Sequence, residues 1–364
     1  MKTGPDSQED FSRRVPALLE RARVLLKLKG GPRDSLAPGE LQPAARAVAA
    51  LHEGLIGERP LAQAGTYDNP AHLGAYLLWW WPQSYLKTRA ALELRALGLR
   101  RPRILDLGAG PAPAALAALD AFGGDALAVD ASKAALHEAR SLGVARTREC
   151  NLPAGATDLD GQFDLIVGAN FLVELQGDNA GFLERLCARV LAPEGVVVLI
   201  EPALRETGRA LLELRDKLLA GPTFRALAPC YTQKPCPALV NARDWCTAER
   251  RWLPPPYFTQ LANATGLRAD ERLSYAPLVL ARRAPAIDPE IWRVVGVPPL
   301  EKGKRRLFVC SDQGRLPAVR LERDVAEANA AFAELQRGDS ARLTNLEQRG
   351  DGLRVGRESA VERK

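Results

Sequence analysis

Asp106-Leu107-Gly108-Ala109-Gly110 follows the apolar run Ile104-Leu105 and precedes an Ala/Leu-rich stretch, Pro113 to Phe122. A strand, a glycine turn and a helix in that order form the ligand loop of a Rossmann-like domain, because glycine gives close backbone approach and φ values closed to other residues. In a dinucleotide loop pyrophosphate sits on the helix N-terminus and a third glycine follows at fixed spacing. Here Pro111-Ala112-Pro113-Ala114 follows instead. A tight turn without a phosphate seat suits S-adenosylmethionine, which has no phosphate.

Strand and helix patterns alternate outward from this loop. Asp125 to Asp130, Ala145 to Cys150, Phe163 to Asn170 and Gly195 to Glu201 read as strands. Ser132 to Leu142, Gly181 to Leu191 and Glu206 to Ala220 read as the helices between and after them. The pattern predicts an α/β fold with a parallel sheet: a class I S-adenosylmethionine methyltransferase (Rossmann-like) domain over residues 96–285. Asp130 stands 24 positions after Asp106 and ends the second strand, where a carboxylate accepts from ribose hydroxyls. Asn151 and Leu152 follow the third strand and are candidates to face adenine. Asn170 ends the fourth, at the crevice where open α/β sheets bind ligands. The expected cofactor-binding set is therefore Asp106, Gly108, Ala109, Gly110, Asp130, Asn151, Leu152 and Asn170.

Residues 1–95 read as a helical region, with apolar faces over Val15 to Lys27 and Pro43 to Leu55 and a Gly30-Gly31-Pro32 break between them. Tyr76 to Leu97 is apolar and aromatic, and its Trp79-Trp80-Trp81 triplet points in three directions on a helix. Packing accounts for at least two of those rings better than a base-stacking platform does. Beyond Pro285, Leu307 to Cys310 and Ala318 to Leu321 form a hairpin around Asp312-Gln313-Gly314-Arg315, within a β extension at 286–340. Residues 341–364 are charged and read as a frayed tail.

Of 364 residues, 50 are Lys or Arg and 44 Asp or Glu, a net charge of +6 that is compatible with a polyanionic partner but does not require one. Basic runs at Arg100 to Arg103, Arg250-Arg251 and Lys302 to Arg306 point the same way. No apolar run is long enough to span a bilayer, and the first ten residues are polar and acidic. The expectation is a cytoplasmic protein without a membrane or DNA partner. Its cysteines are then reduced. Cys150 and Cys187 fall in strand and helix patterns and read as core. Cys230 and Cys236 have five residues between them, Cys246 follows after nine more, and Cys310 after a further 63. The first three crowd a Pro-rich insertion at 221–257 that lacks its own periodicity. A metal site would order such a segment by coupling ligation to folding. Four thiolates suit zinc or an iron–sulfur cluster equally by ligand count, and the spacing is looser than that of common zinc modules, which favours the cluster.

No catalytic base can be named. Adenine amino-methyltransferases often end the fourth strand with Asn/Asp-Pro-Pro-aromatic, whereas this chain has Asn170-Phe171-Leu172-Val173. Pyrimidine methylation through cysteine wants Pro-Cys after the fourth strand, but Pro229-Cys230 and Pro235-Cys236 follow the fifth.

Leu105 to Pro111, Leu191 to Pro202, Ala228-Pro229-Cys230, Lys234 to Pro237, Asp244-Trp245-Cys246, Ser274-Tyr275 and Val309 to Asp312 with Gly314 carry a specific resemblance. The chain resembles the methyltransferase-like proteins associated with the small ribosomal subunit, known from mitochondrial ribosome assembly and with bacterial relatives. The resemblance covers about residues 70 to 322. It implies S-adenosylmethionine binding, a [4Fe–4S] cluster on Cys230, Cys236, Cys246 and Cys310, and a role on the maturing small subunit in contact with its rRNA. Two positions depart from the family pattern: Ala112 stands where glycine is usual, and Ala90-Ala91 where relatives carry Pro-Ala. The chain is expected to be either an rRNA methyltransferase or an inactive assembly factor that uses the fold as a scaffold. A small-molecule methyltransferase fits the basic runs and the cysteine segment less well.

Overall fold

Three helices precede the first strand in a computed structural model that describes residues 5–55, 65–283, 286 and 288–364. In α1 (Pro5–Leu26), Phe11, Val15, Leu18, Leu19 and Ala22 recur at helical spacing and are buried. α2 (Pro38–Leu55) buries Ala44, Ala45, Val48 and Leu51 in the same way. α3 (Pro70–Leu92) starts at Asn69, whose side chain accepts from the Ala71 N–H, and is buried on nearly every side. Its tryptophans pack as the sequence predicts. The Trp81 indole donates to the Pro111 carbonyl at 3.0 Å, Trp79 stacks on Phe258 at 4.1 Å, and Trp80 lies half-buried against Tyr76. The part of the 1–95 region at residues 56–64 lies outside the described residues.

The alternating region follows as β1 (Arg103–Leu107), α4 (Pro113–Phe122), β2 (Asp125–Asp130), α5 (Lys133–Ser141), β3 (Arg146–Glu149), β4 (Phe163–Ala169), α6 (Asn179–Val190) and β5 (Leu191–Pro202). These five strands are parallel, in the order β3-β2-β1-β4-β5. Leu165 to Val167 and Val197 to Ile200 are fully buried, as strands covered by helices on both faces require. This is the Rossmann-like sheet of class I methyltransferases. Strand order reverses between β1 and β4, and the crevice at that reversal is where open sheets hold ligands.

Contacts divide the chain into two units, residues 2–201 with 250–273 and residues 202–249 with 274–364. The N-terminal helices thus belong with the parallel sheet. Arg21 forks onto Glu138 at 2.7 and 2.8 Å, and Arg14 grips Asp120 at 2.5 and 2.6 Å.

The second unit begins with α7 (Arg205–Ala220) and β6 (Arg225–Ala228), and the division of the chain falls within β7 (Ala248–Arg251). After α8 (Pro256–Thr265), which belongs to the first unit, comes β8 (Arg272–Ala281), antiparallel to β6. A separate seven-stranded sheet closes the chain, in the order β13-β14-β11-β10-β9-β12-β15. Its strands are β9 (Ile291–Gly296), β10 (Lys304–Ser311), β11 (Gly314–Leu321), β12 (Ser340–Thr344), β13 (Glu347–Arg349), β14 (Gly352–Arg354) and β15 (Ala360–Arg363). β10 and β11 are the expected hairpin.

The frayed tail expected at 341–364 is not there. β12 to β15 run through it, and Leu343, Leu353, Val355 and Val361 enter the same core as Trp292, Leu307 and Phe332. β12, β14 and β15 each contribute one or two apolar residues among polar neighbours and β13 contributes none, too few for an alternating pattern to register.

Candidate functional site

The crevice is built from what ends each parallel strand. After β1, Gly108 and Gly110 take φ values of 61° and 53°, conformations that L side chains rarely adopt. Their roles differ. A Cβ on Gly108 would stand 2.7 Å from the Phe171 Cβ, so this glycine seats a buried ring from the loop after β4. A Cβ on Gly110 would meet nothing within 4 Å. Ala112 is also left-handed at 53°, a conformation that costs a residue with a Cβ about 1–2 kcal/mol. The Ala109 N–H donates to the Val129 carbonyl at 3.0 Å. Asp130, ending β2, accepts from the Gly110 N–H at 2.7 Å and the Ser132 N–H at 2.8 Å, which leaves lone pairs on both oxygens. Burial raises its carboxyl against the pull of those N–H groups.

The Cys150 N–H donates to the Asp130 carbonyl at 2.8 Å, so the following Asn151 and Leu152 lie beside the end of β2, Asn151 exposed and Leu152 half-buried. Asn170, at φ 59°, donates its amide to the Ser84 hydroxyl at 3.3 Å.

Two further carboxyls face the same edge. Asp106 is 1% exposed; Oδ2 accepts from the Ala115 N–H at 2.8 Å, and Oδ1 has no partner. Burial pushes this acid up to about 8. Glu201, near the end of β5, is 2% exposed; Oε1 accepts from the Leu172 N–H at 3.1 Å, and Oε2 has no partner. Burial pushes it to about 8 as well. Glu174 is driven to about 7, by desolvation first and the Asp130 charge second. Sequence reasoning missed Glu201 and Glu174. Glu201 carried a signal, since an acid terminates the apolar run Val196 to Ile200 as Asp106 and Asp130 terminate theirs.

The cysteines form a second locus, wholly within the other unit. Cys230 and Cys236 follow β6, Cys246 precedes β7, and Cys310 lies in β10; all four line one cavity. Burial pushes the Cys236 thiol up to about 12, with the Cys230 charge adding to it. Cys310 is raised still further, by burial and then by Cys230, Cys246 and Cys236. Cys246 also packs against the small buried cluster that contains Cys236. Among the described residues, no group of three or more His, Cys, Asp or Glu is arranged to hold a metal ion. A tetrahedral zinc drawing four sulfurs to about 2.3 Å is therefore not preformed. Cys150 and Cys187 are buried away from the cavity lining, as their patterns predict.

The family described as mitochondrial small ribosomal subunit Rsm22 matches residues 71–340. The chain belongs to the Rsm22 family. Among curated proteins, none matches it. Similar solved structures include a ribosomal protein L11 methylase from Lactobacillus delbrueckii subsp. bulgaricus, at 18% identity and TM-score 0.34 over 56% of this chain and 80% of that one. A TehB-like S-adenosylmethionine-dependent methyltransferase from Corynebacterium glutamicum aligns at 18% identity and TM-score 0.37, covering 59% of this chain and 100% of that one. TrmN from Thermus thermophilus aligns at 19% identity and TM-score 0.34, over 57% and 53%.

In this Rsm22-family chain the basic runs divide. Arg100, Arg101 and Arg103 are exposed, but Arg250 is buried against Glu93 at 2.7 Å and the Ser7 hydroxyl at 3.2 Å. Arg250 is thus a structural ion pair and not part of a phosphate-binding surface. No described helix is long and apolar enough to cross a membrane.

Proposed function

We propose that this Rsm22-family protein binds S-adenosylmethionine in the crevice edged by Asp106, Gly108, Ala109, Gly110, Asp130, Asn151, Leu152 and Asn170. It carries a [4Fe–4S] cluster on Cys230, Cys236, Cys246 and Cys310, and acts on the small ribosomal subunit or its rRNA during assembly. The convergence of four cysteines from separate segments on one cavity carries this reading. The donor set fits the group: thiolates are the usual ligands of such clusters, and four cysteines line this cavity. The cluster's place here is structural, joining the irregular 221–257 segment to β10.

For the nucleotide, Gly110 leaves open space and Asp130 keeps lone pairs for ribose hydroxyls. Asp130→Ala is expected to weaken S-adenosylmethionine at least tenfold in calorimetric titration, since hydrogen bonds to a charged group contribute ~1.5–3 kcal/mol. A wild type that binds none of it would sink the nucleotide reading.

Methyl transfer is tested by incubating immature small subunits with labelled cofactor. Incorporation above a no-enzyme control is expected, together with co-sedimentation with the subunit. The scaffold reading draws on Asn170, whose amide is committed to Ser84 and which is followed by Phe171-Leu172 and not by Pro-Pro. Co-sedimentation without incorporation would favour it.

A further inference from the structure

β9 presents two faces. Trp292 and Val294 enter the core of the seven-stranded sheet, so Arg293 and Val295 point the other way and line the cysteine cavity. Strand register places Arg293 directly opposite Cys310 on β10 and opposite Ser340 on β12. Residues so paired have Cβ atoms ~4.5–5.5 Å apart, so the sheet itself sets a guanidinium beside this thiol.

Arg293 is 3% exposed. Its Nη2 donates to the Thr247 carbonyl at 3.1 Å, while Nε and Nη1 have no partner. Among the described ion pairs, none joins Arg293 to a carboxylate. Arg215, the other buried guanidinium on the cavity, is differently placed. It pairs with Asp216 and donates to the Lys234 and Thr232 carbonyls at 3.0 and 2.7 Å, so its charge is answered. An unanswered buried cation is strongly unfavourable, and its N–H groups compound the cost. Only negative charge inside the cavity offsets it. A cluster held by four thiolates is a net anion.

We infer that Arg293 is the counter-cation of the cysteine cavity, holding the anionic cluster in place and raising its reduction potential. The inference rests on the cluster reading above. Reduction adds one electron to the iron without a proton, so a fixed positive charge beside Cys310 favours the reduced state.

The test uses full-length wild type, Arg293→Met and Arg293→Lys, reconstituted anaerobically with iron and sulfide and titrated with dithionite as the electron donor. Arg293→Met is expected to move the oxidised-to-reduced ratio at a fixed potential at least tenfold toward oxidised, ~59 mV for one electron. Arg293→Lys, which keeps the charge, should stay within threefold of wild type. Thermal unfolding supplies a readout independent of redox. Without metal, Arg293→Met should unfold at a higher temperature than wild type, because the unanswered cation is gone; with the cluster loaded, it should unfold at a lower one. An arginine that served only to anchor Thr247 would lower both. A shift below threefold in a loaded Arg293→Met, or a lower unfolding temperature in both forms, overturns the inference alone. A wild type that takes up no iron and sulfide overturns the cluster reading and the inference together.

Discussion

Replacing Cys310 by serine is expected to remove most of the iron and to lower the thermal midpoint by ~10 °C or more. Three of the four proposed ligands come from residues 230–246, a stretch whose regular structure amounts to one short turn, Pro237–Leu239. The fourth comes from β10, whose backbone is fixed by pairing on both sides, with β9 and β11. Cys310 therefore ties an irregular segment to a sheet that is ordered without it. Structural metal in small domains contributes ~10–16 kcal/mol to folding, and each kcal/mol moves the midpoint of a domain this size by ~2–4 °C. Losing about half of that contribution gives the stated shift. S-adenosylmethionine affinity should change little, because the crevice is formed by the other unit. Cys187→Ser, within α6, should leave the iron content unchanged and serves as the control. Full iron and an unmoved midpoint in Cys310→Ser would remove Cys310 from the ligand set.

The sequence disclosed some of this more readily than the rest, for physical reasons. β2, β4 and β5 carry continuous apolar runs because helices bury both faces of a parallel sheet, and such runs need no alternation to be seen. The glycine turn and Asp130 were legible because few residues fit a left-handed turn or a ribose site. Beyond the β10–β11 hairpin, the last sheet was opaque because its remaining strands are three to six residues long, and the strand that carries Arg293 hides a cation among apolar neighbours. That Arg293 faces Cys310 depends on register between strands, which no local pattern encodes. Gly108 shows the opposite limit: its place in the motif was visible, yet its closest neighbour is Phe171, from a loop 63 positions away.

Glu201→Gln is expected to stabilise the ligand-free protein, increasingly so as pH rises. An ordinary glutamic acid loses its proton near 4.5, whereas burial holds Glu201 protonated up to about 8. Below pH 4.5 the acid is neutral in both folded and unfolded chains, so the variant gains nothing there. Between 4.5 and 8 the unfolded chain ionises while the folded one keeps its proton, and wild-type stability falls with pH. Above 8 the loss is complete, at ~5 kcal/mol by ~1.4 kcal/mol per pH interval. Glutamine mimics the protonated acid, keeps the carbonyl that accepts from Leu172, and escapes the loss. Asp106 titrates with the same sign but is common to both proteins, so it cancels in the difference. Denaturant titrations at pH 4, 6 and 8 should show no gap, an intermediate gap and the widest gap. A variant less stable than wild type at pH 8 would mean that Glu201 is charged and well partnered in the folded state. The unanswered oxygens of Asp106 and Glu201 favour a positively charged occupant, and S-adenosylmethionine carries a sulfonium and an ammonium. Saturating it at pH 8 should therefore narrow the gap, because a nearby cation stabilises the ionised glutamate and does nothing for glutamine.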